Sequence, residues 1–265
     1  MPEGDSLYQA ARLLKPLVGE TALGVAGSVR AMSEWGNRLS DRTIVEVRSH
    51  GKHLLVHFAG DLSLRTHLGM TGQWHLYVPG DRWRKTPGKA RVIIESEEHT
   101  AVCFAAPDVS AGPTATIEAE IAHLGPDLLA DEFDPVAAVR RAATSQADTA
   151  ADLLLDQRVM AGVGNVYKSE VLFLERLDPQ TLTSELGTQG IEALASRARR
   201  LLWVNRSRGV RNTTGYGRGA NLWVYDRAGR PCRRCGTTIK REDLGEHGRS
   251  TFWCPRCQPS SRVDA

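Results

Sequence analysis

The pattern Cys232-x2-Cys235-x18-Cys254-x2-Cys257 near the end of the chain limits its fold more than any other feature. Each CxxC turn brings two thiolates to one ion, and four thiolates complete a tetrahedral zinc site with no open position. The spacing therefore predicts one structural Zn2+. A redox dithiol is the alternative use of the same motif. The tail from Arg227 onward is short and rich in Gly, Arg and Cys, too little to fold on core burial alone, which favours the metal. The residues between the cysteine pairs are enough for a β-hairpin, with Arg249 near its tip. A guanidinium there can grip a phosphate with two hydrogen bonds, or can simply be solvated. The fifth cysteine, Cys103, lies in Ala-Val-Cys-Phe-Ala and reads as a small buried hydrophobe.

The rest of the chain divides by periodicity. Leu7, Ala10, Ala11, Leu14 and Leu17 recur at helical spacing, predicting a helix over 6–17 that is capped by Asp5 or Ser6. Short β-branched or aromatic runs follow at 43–47, 54–58, 62–66, 73–78, 90–95 and 100–104, separated by Gly, Pro and Asp. That rhythm predicts a sandwich or barrel. Residues 125–135, with Pro and Asp, read as a linker. Residues 135–203 read as helical, broken at Gly162-Val163-Gly164 and near Asp178-Pro179. In this second region the two glycines permit tight turns, and Asn165 is placed to cap the helix that follows. Such a helix start is a ready phosphate site, although an ordinary helical hairpin has the same signature. The expected class is α+β, in three parts: an N-terminal helix and β-sandwich (1–128), a helical domain (129–226) and a zinc β-hairpin (227–265).

Charge narrows the partner. The net charge is only +3, but residues 197–241 hold thirteen Lys/Arg against one acid, Asp226. Residues 116–156 hold nine Asp/Glu against two Arg. One basic face fits a polyanion. The first residues lack a basic and then apolar leader, and no apolar run is long enough to span a bilayer. The expectation is a cytoplasmic protein with no membrane partner.

The N-terminus adds chemistry. A small second residue permits loss of Met1, which exposes Pro2 as a free secondary amine. An α-amino group titrates near ~8, leaving roughly a tenth unprotonated at neutral pH, far more than a free lysine. Such an amine can attack an aldehyde-like carbon to give an iminium. Glu3 follows directly and can protonate a leaving sugar oxygen.

These segments, taken in order, resemble the formamidopyrimidine-DNA glycosylase/endonuclease VIII family nearly end to end. The matching motifs are Pro2-Glu3-Gly4, the catalytic-lysine context Gly51-Lys52-His53-Leu54-Leu55, His67 to Met70, Ala161-Gly162-Val163-Gly164-Asn165-Val166-Tyr167, and Gly248 to Cys254. The resemblance implies a bifunctional glycosylase/lyase acting on damaged DNA, in duplex or single-stranded form, as a monomer associated with the nucleoid. It implies that Pro2 attacks C1′ and drives β- and δ-elimination, with Glu3 as acid/base partner and Lys52 at the phosphate. It also implies that the segment around Gly162 is a helix–two-turns–helix motif. Asn165 and Arg249 would hold phosphates flanking the lesion, and Met70 would wedge into the space left by the flipped base.

Two departures point to the endonuclease VIII branch and oxidised pyrimidines. Ala105-Ala106-Pro107-Asp108 stands where the formamidopyrimidine branch carries an Arg-x-Phe-like element. The segment from Asn212 to Leu222 is short and Gly-rich where that branch is longer. An oxidised-purine glycosylase of the same family is the first alternative. A zinc-hairpin DNA-binding protein without catalysis is the second, and retention of Met1 would favour it. A metal-dependent nuclease would need clustered carboxylates in the basic region, which holds one acid.

Overall fold

The structure is a computed structural model that describes residues 1–216, 221–245 and 248–260. It divides into two compact units, Met1–His123 and Leu124–Ala265.

The first unit opens on helix α1 (Gly4–Leu13), followed by a 3-10 turn at Lys15–Leu17. The predicted 6–17 helix is thus split. Pro16 has no amide for the ladder and pushes its predecessor away from the α region, so the regular helix stops short of it. Then come β1 (Thr21–Ala22), β2 (Gly24–Ala26), α2 (Arg30–Leu39), β3 (Arg42–His50), β4 (His53–Phe58), β5 (Leu62–His67), β6 (Gln73–Tyr77), β7 (Ala90–Glu95), β8 (Thr100–Phe104), β9 (Asp108–Pro113) and α3 (Thr114–Ile121). The strands form a five-stranded sheet in the order β1-β3-β4-β5-β9 and a four-stranded sheet in the order β2-β7-β8-β6. One apolar cluster takes Leu7, Leu14 and Leu17 from the helical start, Ile44, Leu54 and Leu64 from one sheet, and Val92, Ile94 and Cys103 from the other. That shared core makes the unit a sandwich closed by α1.

Each of the six predicted strands is present, within a few residues at its ends. Strand β9 and helices α2 and α3 were not anticipated. Strand β9 contains Gly112 and ends on Pro113, and it is held as an edge strand by antiparallel pairing with β5 from His67↔Asp108 to Leu62↔Pro113. Neighbour pairing, not its own propensity, makes it a strand.

The second unit holds α4 (Pro135–Ala142), α5 (Ala150–Leu155), α6 (Asn165–Leu174), α7 (Thr183–Asn205, interrupted at Gly187), β10 (Lys240–Leu244) and β11 (Arg249–Trp253). In α6 every residue from Val166 to Phe173 is buried, so this helix is the centre of the unit. The 125–135 segment is not a solvated linker. Leu128 and Leu129 are buried, and Arg199 donates to the carbonyls of Leu128 (2.9 Å) and Ala130 (2.7 Å). A Cβ on Gly125 would lie 2.6 Å from the backbone of Val159, so only glycine allows this approach. Irregular chain packed this closely needs its carbonyls satisfied, and Arg199 does so.

Candidate functional site

The second unit builds its site around α6. Between α5 and α6 the side chain of Gln157 clamps two successive turns. Its amide donates to the carbonyls of Leu155 and Val163, both at 2.9 Å, and its oxygen accepts from Gly162 N at 3.0 Å. Gly162 takes φ +112, a region that a side chain disfavours. The N-cap of α6 is Gly164, so the expectation that Asn165 caps the helix is corrected. With Gly164 extended, Asn165 becomes the first helical residue. Its side chain turns instead to the hairpin, where Nδ2 donates to the carbonyl of Ser250 at 2.6 Å.

The hairpin pairs β10 with β11 antiparallel from Lys240↔Trp253 to Leu244↔Arg249. Arg249 is exposed and is the first residue of the returning strand. It precedes Ser250, so Asn165 bonds to the backbone of the residue next to Arg249. Arg249 also lines a cleft of about 270 Å³ together with Asp148, Asp152 and Asp156.

At the hairpin base, Cys232, Cys235, Cys254 and Cys257 present their sulfurs within 4.8 Å of one another. Cys232 and Cys257 are 3.9 Å apart, and Cys235 and Cys254 are 3.5 Å apart. A tetrahedron of sulfurs at ~2.3 Å from zinc has edges of about 3.8 Å, so these thiols fit the ion. Phe173 of α6 stacks on Trp223 at 5.3 Å within the apolar cluster that includes Cys232, Cys254 and Phe252. The metal module is thereby joined to α6.

Two buried polar residues on α6 escaped sequence reasoning. Lys168 donates to Thr251 Oγ1 at 2.7 Å, tying the helix to β11. Glu170 is fully buried and accepts from the amides of Trp223, Val224 and Tyr225 at 2.8–2.9 Å and from Thr213 Oγ1. Burial pushes its carboxyl above the ordinary carboxylate range, although all four donors pull the other way. The available signal was Lys168-Ser169-Glu170, three polar residues in a row inside an apolar helical stretch.

The first unit carries its candidates at the start of α1 and in the turns after β3 and β5. Pro2 is half-buried, and Glu3, fully buried, is the N-cap of α1, with its backbone amide donating to Ser6 Oγ at 3.4 Å. Helix α1 packs against β3, β4 and β6. Lys52 is in the β3–β4 turn, made possible by Gly51 at φ +55. The next residue, His53, pairs with His67 across β4 and β5, with ring centroids 5.1 Å apart. His67 is held below its ordinary value by burial and then by the charge of Lys52. Gly69 N donates to His67 Nδ1 at 3.3 Å, and Gly72 N closes the turn on the carbonyl of Leu68 at 2.8 Å. At the apex stands Met70, 72% exposed. Large apolar side chains displayed singly on a rigid turn are suited to insertion.

Beneath this turn lies a knot that sequence reasoning missed. Arg65 of β5 makes a bidentate pair with Asp108 (2.9 and 3.0 Å) and bonds Glu120 (2.7 Å), Ser110 (3.0 Å) and His53 Nδ1 (3.0 Å). Burial, helped by His67 and Arg65, brings His53 down to about 3, so it is neutral at neutral pH. Burial works to raise Asp108, but the hydrogen bonds and charge of Arg65 bring it below the ordinary range. Asp108 belongs to the departing Ala105-Ala106-Pro107-Asp108 segment, and this aspartate points into the knot. The other departing segment, 212–222, is described except for residues 217–220, which lie outside the described residues.

Comparison with known proteins covers nearly the whole chain. Residues 1–108 match the formamidopyrimidine-DNA glycosylase N-terminal domain, residues 124–213 the formamidopyrimidine-DNA glycosylase H2TH domain, and residues 229–259 the zinc finger found in FPG and IleRS. The chain is 41% identical to a probable endonuclease 8 2 of Streptomyces coelicolor, over 97% of this chain and 94% of that protein. It is 40% identical to the DNA-(apurinic or apyrimidinic site) lyase Nei2 of Mycolicibacterium smegmatis, over 98% and 100%. Among solved structures, Lactococcus lactis formamido-pyrimidine DNA glycosylase bound to AP-site DNA has the same fold. Its TM-score is 0.82 at 23% identity, covering 97% of this chain and 100% of that one.

Proposed function

Because the chain belongs to the formamidopyrimidine-DNA glycosylase/endonuclease VIII family, in its endonuclease VIII branch, we propose that Pro2 is the nucleophile of its reaction. The protein is a bifunctional base-excision DNA glycosylase and DNA-(apurinic or apyrimidinic site) lyase with one structural zinc. Among the described residues no helix is long and apolar enough to cross a membrane. The finer reading is a monomeric enzyme working on chromosomal DNA in the cytoplasm.

The observation that carries the proposal is the burial of Glu3 at the cap of α1, directly after Pro2. A carboxyl removed from water beside an amine is positioned for proton transfer at the sugar. Once Met1 is removed, the Pro2 nitrogen attacks C1′, the base leaves with the bonding pair, and Glu3 protonates the ring oxygen as the sugar opens. The resulting iminium draws electrons from the C2′–H bond, so the 3′ phosphate leaves by β-elimination. A second elimination releases the 5′ phosphate, and water then hydrolyses the iminium. Lys52, in the β3–β4 turn, contacts a phosphate at the lesion. Asn165 and Arg249 hold phosphates flanking it, and Met70 fills the vacated stack. A zinc ion held by Cys232, Cys235, Cys254 and Cys257 would take no part in these steps and would fix the hairpin that carries Arg249.

Borohydride trapping on an abasic-site duplex, read with the intact mass of the free protein, tests the nucleophile. A cross-link to the N-terminal residue is expected. No cross-link from protein lacking Met1 would sink the reading, and undiminished trapping after blocking the amine would move the role to Lys52.

Oxidised pyrimidines are the proposed substrates. Support comes from the Ala105–Asp108 departure, where Asp108 is turned into the Arg65 knot and offers no side chain over the base. Excision of thymine glycol is expected to exceed that of 8-oxoguanine in matched duplexes, and the reverse order would favour oxidised purines.

A further inference from the structure

The first unit carries a second concentration of positive charge that the reaction does not use. Between β6 and β7 the chain runs Gly80-Asp81-Arg82-Trp83-Arg84-Lys85-Thr86-Pro87-Gly88-Lys89. Arg82, Arg84 and Lys89 are exposed and Lys85 is half-buried. Among the described residues, no hydrogen bond or ion pair engages these four side chains. The single acid, Asp81, is exposed at the start of the loop, where Oδ2 accepts from Val78 N at 3.3 Å. Four cations against one acid leave the loop strongly basic.

Basic loops are common on protein surfaces, and most are simply solvated. This one is anchored. Trp83 stacks on Tyr77 with ring centroids 6.4 Å apart and meets Phe104 edge-on at 5.7 Å. Arg84 N donates to the Tyr77 hydroxyl at 3.1 Å, and a 3-10 turn at Pro87–Lys89 leads into β7. The half-buried His75 is held below its ordinary value by burial first, then by Lys85 and Arg84, so the field of these cations reaches the sheet beneath.

Strand register locates the loop. Gln73 and Ala90 both pair with Phe104, and Ala105 N donates to the Lys89 carbonyl at 2.8 Å. The loop leaves β6 at its far end, Tyr77, and returns to the end that bears the Met70 turn. That turn in turn packs on Pro107, since a Cβ on Gly69 would lie 2.6 Å from Pro107 Cγ. The loop thus crosses from the Tyr77 end of β6, where Trp83 and Arg84 are anchored, to the edge from which Met70 projects, where Lys89 stands.

Resting on the glycosylase/lyase reading, we propose that the loop between β6 and β7 is a further phosphate-binding element, gripping the duplex backbone beside the wedge through Arg82, Arg84 and Lys85. The duplex presents a phosphate every ~3.4 Å of axis per strand, so closely spaced cations on a fixed loop can meet successive phosphates. Anchoring by Trp83 lowers the ordering cost of that contact.

The test is the salt dependence of binding to a stabilised abasic-site duplex. Each phosphate contact contributes about 0.9 to the slope of log K against log salt. The triple variant Arg82→Ala/Arg84→Ala/Lys85→Ala is expected to flatten that slope by about 2–3 and to weaken binding about tenfold or more at moderate salt. Trp83→Ala keeps the charges but frees the loop, and is expected to weaken binding with a smaller change of slope. Arg84→Glu/Lys85→Glu, checked for an unchanged thermal transition, should weaken it further than the alanine variant. A folded triple variant with the wild-type slope overturns the proposal. Wild-type protein that cross-links to the abasic site while the triple variant keeps its slope defeats this inference alone. Wild-type protein that neither binds nor cross-links defeats the parent reading as well.

Discussion

The two units hold their functional residues by opposite means. In Leu124–Ala265 the site is assembled from polar anchors: four thiols at one point, Lys168 on Thr251, Asn165 on Ser250, and Glu170 gathering three amides and a hydroxyl. In Met1–His123 the site stands at the end of an apolar sandwich, with the Arg65 knot beneath it. Polar anchors are all-or-none, because a buried donor left alone costs its full desolvation, whereas an apolar core yields gradually as contacts are lost. The second unit should therefore fail abruptly on single changes, and the first should fail by degrees or with pH.

Metal removal is expected to have the largest effect. Structural zinc contributes on the order of 10 kcal/mol to the folding of small modules. Chelation, or Cys254→Ala, should erase hydrogen-exchange protection across 229–259 and abolish binding to abasic duplex, while protection across β3, β4 and β5 persists. Loss of protection in both units together would break the contrast. Next is Glu170→Ala, which leaves three buried amides and the Thr213 hydroxyl without their acceptor. A cost of about 4 kcal/mol or more is expected from orphaned donors of this kind. Glu170→Gln should recover part of it, because one oxygen remains. Chemical denaturation of each variant measures both, and a cost under about 1 kcal/mol would show that water or repacking satisfies these amides.

The first unit should instead respond to acid. His53 is lowered to about 3, so between the ordinary histidine value and about 3 the unfolded chain binds a proton that the folded chain refuses. Stability is then fully present above ~6.5 and falls as pH drops through that window. Asp108, held low by Arg65, adds to the loss below the ordinary carboxylate range, since its folded form resists protonation. His53→Gln should flatten the limb between ~6.5 and ~3 while leaving the lower one. Arg65→Met should cost about 2 kcal/mol at neutral pH, less than a fully buried pair would, because the Asp108 carboxylate is half-exposed. An acid limb unchanged by His53→Gln would show that this histidine titrates freely.

How much of this was legible in the sequence follows the same division. The four cysteines, Gly162, Gly164, Asn165 and Arg249 are local motifs whose spacing carries their geometry. The structure gathers the four sulfurs at one point, bonds Asn165 to the backbone of Ser250 next to Arg249, and moves the cap of α6 from Asn165 to Gly164. The strands of the sandwich were readable because alternation and turn residues report a half-buried sheet. Strand β9 was not, because an edge strand with Gly112 and Pro113 takes its conformation from β5. Arg65 was invisible for a related reason. Its partners lie on β4, β9 and α3, up to 55 residues away, and no spacing rule connects an arginine to a carboxylate across a sheet. Lys52 gained meaning only from family resemblance and from the effect of its charge on His67. The basic run from Arg82 to Lys85 was not singled out in the sequence, and its anchoring on Tyr77 and Phe104 comes from the structure.

The smallest expected effect on stability sharpens the contrast from the other side. Met70 is 72% exposed on a turn held by Gly72, His67 and Pro107, so it has little packing to lose. Met70→Ala should change the stability of the first unit by no more than about 0.5 kcal/mol, the usual range for surface positions. Its effect on the reaction should be far larger. Burying a methionine side chain contributes about 1.5–3 kcal/mol, and if Met70 is the wedge that burial becomes available when the side chain enters a base stack. The expected result is a loss of about 10–100-fold in affinity for a lesion inside a duplex. The loss should nearly vanish on single-stranded DNA, where no stack remains to be filled. Parallel titrations on the two substrates measure this difference directly. Equal losses on both would mean that Met70 contacts the strand without wedging, and a large loss of stability would mean that the turn depends on packing that its exposure does not suggest.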